Sequence, residues 1–122
     1  MSKTILIVDD EPNIVLSVEF LMKREGFEVK TAGDGHAAIE MLAQSRPDLV
    51  ILDVMMPRKN GFEVCEEVRA DPALRGLPIL MLTAKGREAE MKKGLALGAD
   101  AYITKPFSTH ELVAKVKELL LR

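Results

Sequence analysis

The sequence predicts an α/β domain built on a parallel sheet with helices on both faces. Two observations carry this: five short apolar runs alternate with five stretches of helical spacing, and three of the runs are apolar throughout. Strands that are apolar at every position belong to sheets covered on both sides. A strand–helix pattern repeated five times implies parallel strands joined by right-handed crossovers. A length of 122 residues points to one domain, 1–122, large enough to bury about two-thirds of its unfolded surface without a disulfide or metal staple.

The first run, TILIV at 4–8, ends in Asp9 and Asp10. Pro12 suits the first turn of a helix; Ile14, Val18, Leu21 and Met22 share one stripe of it, and Gly26 stands where it should stop. FEVKTA at 27–32 alternates more than the other runs, as a strand nearer an edge does. DLVIL at 48–52 leads into Asp53. The Asn60-Gly61 pair that follows resembles a hairpin turn, but FEVCEEVRA has helical period, so a loop entering a helix is expected. PILML at 78–82 ends in Thr83, and Gly98 closes the next helix. AYIT at 101–104 leads to Lys105-Pro106, and Ser108 to Glu111, STHE, reads as a capping box. Leu112, Val116, Leu119 and Leu120 form the stripe of the last helix.

Composition excludes several classes. Apolar residues make up 48% and charged residues 30%, as in ordinary globular domains. A net charge of −2 gives no basic footprint for nucleic acid. The single Cys65 rules out an internal disulfide and suits a reducing compartment. No apolar stretch approaches a membrane span, and MSKTILIVDD is too short and too acidic for a signal peptide. A cytoplasmic domain without direct nucleic-acid or membrane binding is expected.

Ligands of open α/β sheets bind outside the carboxyl ends of the strands. There the runs end in Asp9-Asp10, Asp53, Thr83 and Lys105. Each has a plainer reading alone. Asp10 is as readily a helix cap, Asp53 a loop acid, Thr83 a strand or turn residue and Lys105 a solvated lysine. Together they converge on one sheet edge. Two like charges ~4 Å apart repel by about 4 kcal/mol at an effective dielectric near 20. Three carboxylates therefore call for cations: Lys105 supplies one charge, and a divalent ion would neutralise the rest. Oxygen ligands without nearby His or Cys favour Mg²⁺, whose open positions can hold a phosphoryl oxygen.

VDDE, LDVMMPRKNG, MLTA and ITKPFS, in this order and spacing, together resemble the receiver (CheY-like) domains of bacterial two-component response regulators. The resemblance spans nearly the whole chain. It implies a flavodoxin-like fold with strand order 2-1-3-4-5 and a phospho-acceptor role rather than turnover of an external substrate. Asp53 matches the aspartate that takes a phosphoryl group from the phosphohistidine of a histidine kinase or phosphotransfer protein. Asp10 and Asp53 match Mg²⁺ ligands, with Asp9 close by and largely acting through water, and the Met55 carbonyl matches the remaining protein ligand. Thr83 matches the hydroxyl that turns toward the phosphoryl group, Lys105 the lysine that pairs with it, and Tyr102 the aromatic switch. The Lys105-Pro106 bond is typically cis in this family. GADAY has Ala101 where receivers of winged-helix transcription factors often have a second acid, and Lys115 stands in place of their arginine. Their symmetric dimer is therefore not implied.

Rival readings are weaker. Haloacid-dehalogenase phosphatases carry DxDxT after the first strand, where this chain has DDEPN. Flavin carriers of the same fold cradle phosphate in a Ser/Thr/Gly-rich first loop, which Asp9, Asp10 and Glu11 would repel. A constitutive interaction module with a vestigial site is disfavoured by the intact residue set. His36 and His110 read as surface residues at helix starts and Cys65 as a packing residue. Lys85, Arg87, Lys92 and Lys93 read as a basic, solvated face of the fourth helix.

Overall fold

Strand β1 (Thr4–Val8) is followed by α1 (Pro12–Arg24), β2 (Glu28–Ala32), α2 (Gly35–Gln44) and β3 (Leu49–Asp53). Then come α3 (Gly61–Ala70), β4 (Ile79–Ala84), α4 (Glu88–Ala96), β5 (Ala101–Lys105) and α5 (Thr109–Leu120). These elements are taken from a computed structural model that describes residues 2–84, 86 and 88–121. All strand pairs are parallel, in the order β2-β1-β3-β4-β5. This is the flavodoxin-like topology, whose strand order reverses between β1 and β3 and opens a crevice at their carboxyl ends.

Side chains alternate across each strand, and the two faces build two cores. Leu6, Val8, Val50, Leu52, Ile79 and Met81 pack with Leu42 of α2 and Phe62, Val64 and Val68 of α3. Ile5, Ile7, Leu49, Ile51, Leu80 and Leu82 pack with Val18, Leu21 and Met22 of α1 and Leu112, Val116 and Leu119 of α5. This explains why β1, β3 and β4 read as unbroken apolar runs. The strand expected nearer an edge, β2, is at the edge and largely exposed. β5 forms the other edge.

Boundaries differ from expectation where the polar residues begin. Asp53, Thr83 and Lys105 lie within β3, β4 and β5 rather than beyond them. The loop-acid reading of Asp53 is thereby corrected, and of the strand and turn readings of Thr83 the strand holds, because ladder pairing continues to these residues. Asp10 does not cap α1: the N-cap is Glu11, without a side-chain cap bond, and Pro12 opens the helix. Ser108 does cap α5, accepting from the Glu111 N–H. A reciprocal capping box is found at α3, between Asn60 and Glu63, so the Asn60-Gly61 pair indeed enters a helix. Gly26 and Gly98 end helices with φ of 91° and 110°, the left-handed conformation that glycine adopts without strain.

Away from the site, Arg69 ties α3 to the segments that precede β4 and β5. It donates to the carbonyls of Gly98, Arg75 and Leu77 and pairs with Asp100 at 3.0 Å. Cys65 is buried with its Sγ 3.6 Å from the Leu97 carbonyl, and burial pushes its thiol pKa up. It packs, as expected. His36 and His110 are exposed at helix starts, and Lys92 and Lys93 are exposed on α4. Lys85 and Arg87 lie outside the described residues.

Candidate functional site

Strand alternation aims the site. Residue 53 continues the parity of Leu49 and Ile51, and residue 105 that of Ile103, so both lie over the α1/α5 side of the sheet edge. Asp9, one step past β1, shares the parity of Ile5 and Ile7. Thr83 has the opposite parity, that of Ile79 and Met81, and reaches the edge from the other side. Asp9, Asp53 and Thr83 are the buried polar residues of the described chain, at 1%, 5% and 1% exposure.

Lys105 binds the carboxylates together. Its Nζ donates to Asp9 Oδ2 at 3.0 Å, to Asp53 Oδ1 at 3.1 Å and to Glu11 Oε1 at 3.3 Å. The solvated-lysine reading is corrected: its side chain is 17% exposed. Burial alone would lower the Lys105 pKa, but the hydrogen bond it donates to Asp9 and the charges of Asp53 and Asp9 outweigh it and raise it. Asp53 moves the other way from an ordinary carboxylate. Burial raises its pKa from 3.8 to about 6, the charge of Asp9 adds to the rise, and Lys105 opposes both.

The acidic group fits a divalent cation. One carboxylate oxygen each from Asp9, Asp10 and Asp53 lie within 4.8 Å of one another. Carboxylate oxygens gathered at that spacing are the hard donors that would hold such an ion. Burial first and the charge of Asp9 second raise the Asp53 pKa, and a cation beside the carboxylates would favour their ionised forms. Beside them is a cavity of about 110 Å³ lined by Glu11, Asp53, Val54, Met55, Leu82, Thr83, Ala84 and Lys105. The buried Thr83 hydroxyl has no hydrogen-bond partner among the described residues. A buried polar atom without a partner is uncommon and calls for an explanation.

The loop after β3 is held against the site from below. The Gly61 N–H donates to the Val54 carbonyl at 2.9 Å, and a Cβ on Gly61 would collide with the Asp53 carbonyl oxygen. Only glycine lets α3 begin that close to the end of β3. Met55 is 58% exposed on this loop. The Lys105-Pro106 bond is cis. Tyr102, on β5, is 40% exposed.

The family model of the response regulator receiver domain matches residues 5–117. The chain belongs to this family. Its function is that of a two-component receiver domain, a signalling unit that accepts a phosphoryl group on an aspartate. This receiver domain is 38% identical to a chain described as a response regulator from Chloroflexus aurantiacus, with full coverage of both chains and a TM-score of 0.97. It is 34% identical to the signal receiver domain of a histidine kinase from Syntrophus aciditrophicus, covering 98% of this chain and 90% of that one, TM-score 0.91. It is also 34% identical to the chemotaxis protein CheY4 of Vibrio cholerae, covering 98% and 99%, TM-score 0.91. Receiver domains work with histidine kinases and downstream effectors. Among the described residues no helix is long and apolar enough to cross a membrane.

The structure thus brings all the sequence-predicted residues except Tyr102 to one sheet edge. Glu11 was missed as a partner of Lys105. It stands in the VDDE motif, but its reach depends on a turn in which the Asp9 carboxylate accepts the Glu11 N–H at 2.9 Å.

Proposed function

We propose that Asp53 is the phosphoryl acceptor, assisted by Lys105 and Thr83, and that Mg²⁺ is the cofactor, held by Asp9, Asp10, Asp53 and the Met55 carbonyl. One observation carries the reading. Asp53 is a buried carboxylate paired to the Lys105 ammonium and opening on a cavity that the unpartnered Thr83 hydroxyl also lines.

The chemistry follows from these groups. An oxygen of the Asp53 carboxylate attacks phosphorus and forms a P–O bond. The P–N bond of a phosphohistidine, or the P–O bond of acetyl phosphate, breaks in line, and its electron pair leaves with the imidazole or the acetate. The product is an acyl phosphate, a covalent carboxylate intermediate. A carboxylate with a pKa of about 6 is mostly ionised at neutral pH, so no base is required to activate it. Bound Mg²⁺ supplies positive charge for the phosphoryl oxygens. Lys105 supplies further charge, already in place, and such positioning and charge stabilisation carry most phosphoryl transfer. The Thr83 hydroxyl gains an acceptor when phosphoryl oxygens arrive, which draws the end of β4 toward Asp53. A local change of charge thereby biases the segments after β4 and β5, with Tyr102 as the switch residue.

The domain, spanning 1–122, catalyses its own phosphorylation and dephosphorylation, with a sensor histidine kinase or histidine phosphotransfer protein as donor. The output is a contact with an effector protein in the cytoplasm. The test is intact mass after incubation with acetyl phosphate, with and without Mg²⁺, for the protein and for Asp53→Asn. One Mg²⁺-dependent phosphoryl group, missing from the variant, is expected. No mass gain under any condition favours a vestigial interaction module instead.

A further inference from the structure

We propose that Glu11 is a positioning residue for the same phosphoryl transfer: it holds the third N–H of Lys105 in the resting domain and yields it to the incoming phosphoryl group. The proposal rests on the reading of Asp53 as acceptor. An ammonium has three N–H donors and no more. Lys105 gives them to Asp9, Asp53 and Glu11 at 3.0, 3.1 and 3.3 Å. The group that is to pair with phosphoryl oxygens is therefore saturated at rest, and one carboxylate must let go.

The three are not equally free to do so. The Asp9 side chain is 0% exposed, and its second oxygen accepts the Glu11 N–H. Stripping a buried carboxylate of its cation is expensive. The Asp53 side chain is 7% exposed and is the reacting group itself. The Glu11 side chain is 61% exposed and makes the longest of the three contacts. Released, it returns to water at little cost. Glu11 also lines the cavity beside Asp53 and Thr83. Its negative charge there opposes the approach of an anionic donor while its oxygen occupies the donor's partner.

The test compares Glu11→Gln and Glu11→Ala with the unmodified domain in the rate of phosphorylation at constant Mg²⁺. Donors are acetyl phosphate, a dianion, and phosphoramidate, which carries less net charge. Both variants should be faster with acetyl phosphate at low ionic strength, by about threefold, the scale of an exposed charge interaction. The gain should be smaller with phosphoramidate and should fade in concentrated salt, where exposed charges are screened. A merely structural role would move both donors alike and ignore salt; that result overturns the proposal, as do rates equal to or below those of the unmodified domain. Phosphorylation of the unmodified domain at a rate the variants share refutes the role of Glu11 and leaves Asp53 standing. No phosphorylation of the unmodified domain removes Asp53 and this inference together.

Discussion

Replacing Asp53 by asparagine should stabilise the metal-free domain, although it removes one partner of an ion pair. The Asp53 pKa stands at about 6 against 3.8. At 1.36 kcal/mol per pH unit, that rise is an unfavourable contribution of about 3 kcal/mol to the ionised folded state. The sign follows from the protons bound. Below pH 3.8 the carboxyl is neutral in both states and contributes nothing. Between 3.8 and about 6 the folded state keeps a proton that the unfolded state has released, so stability falls as pH rises. Above 6 the full loss is present. Asparagine is neutral throughout and keeps an oxygen for Lys105. In a domain of this size each kcal/mol moves Tm by about 4 °C, which sets an upper bound of about 12 °C on the gain at pH 7. Thermal unfolding with a chelator, for both proteins from pH 3.5 to 7.5, measures it. The curves should meet near pH 4 and separate to their full extent above pH 6. Millimolar Mg²⁺ should then raise the Tm of the unmodified domain by binding its folded state, and raise that of Asp53→Asn less. A variant that melts lower at pH 7, or a gap that does not change with pH, would refute the electrostatic account.

Three further outcomes are expected. Thr83→Val, of similar volume, removes a buried hydroxyl without a partner and should leave urea stability unchanged or raise it by about 1 kcal/mol; the same variant should weaken any phosphorylation-dependent change in Tyr102 fluorescence. Lys105→Met leaves Asp9 and Asp53 buried without their ammonium, so urea unfolding at pH 7 should show a loss of about 3 kcal/mol or more, partly recovered by Mg²⁺. Arg69→Lys should cost about 2 kcal/mol in the same assay, because a single ammonium cannot reproduce a guanidinium that reaches three carbonyls and Asp100; equal stability would show that the clasp is idle.

Much of this was legible in the residues. Unbroken apolar runs mark strands buried on both faces whatever the neighbours are, and Val18, Leu21 and Met22 fell on the core as their spacing requires. The carboxyl-end residues were legible for the same reason. A parallel sheet puts the ends of all its strands on one edge, so Asp9, Asp53, Thr83 and Lys105 had to converge. Strand limits were less so, since ladder hydrogen bonds ignore side-chain polarity and carried β3, β4 and β5 onto Asp53, Thr83 and Lys105.

Sequence by itself determined the fold class and which strand-end residues share one sheet edge, because both depend on periodicity and chain order, which are local or topological properties. Tertiary structure alone decided the state of each member. Burial raised Asp53 to about 6, three carboxylates accept the N–H groups of Lys105, the Thr83 hydroxyl has no partner among the described residues, and a turn at Asp9 brought Glu11 into reach. These depend on distances of a few ångströms between residues up to 96 positions apart. Desolvation and Coulomb energies are set by such distances, and nothing in the order of the amino acids records them.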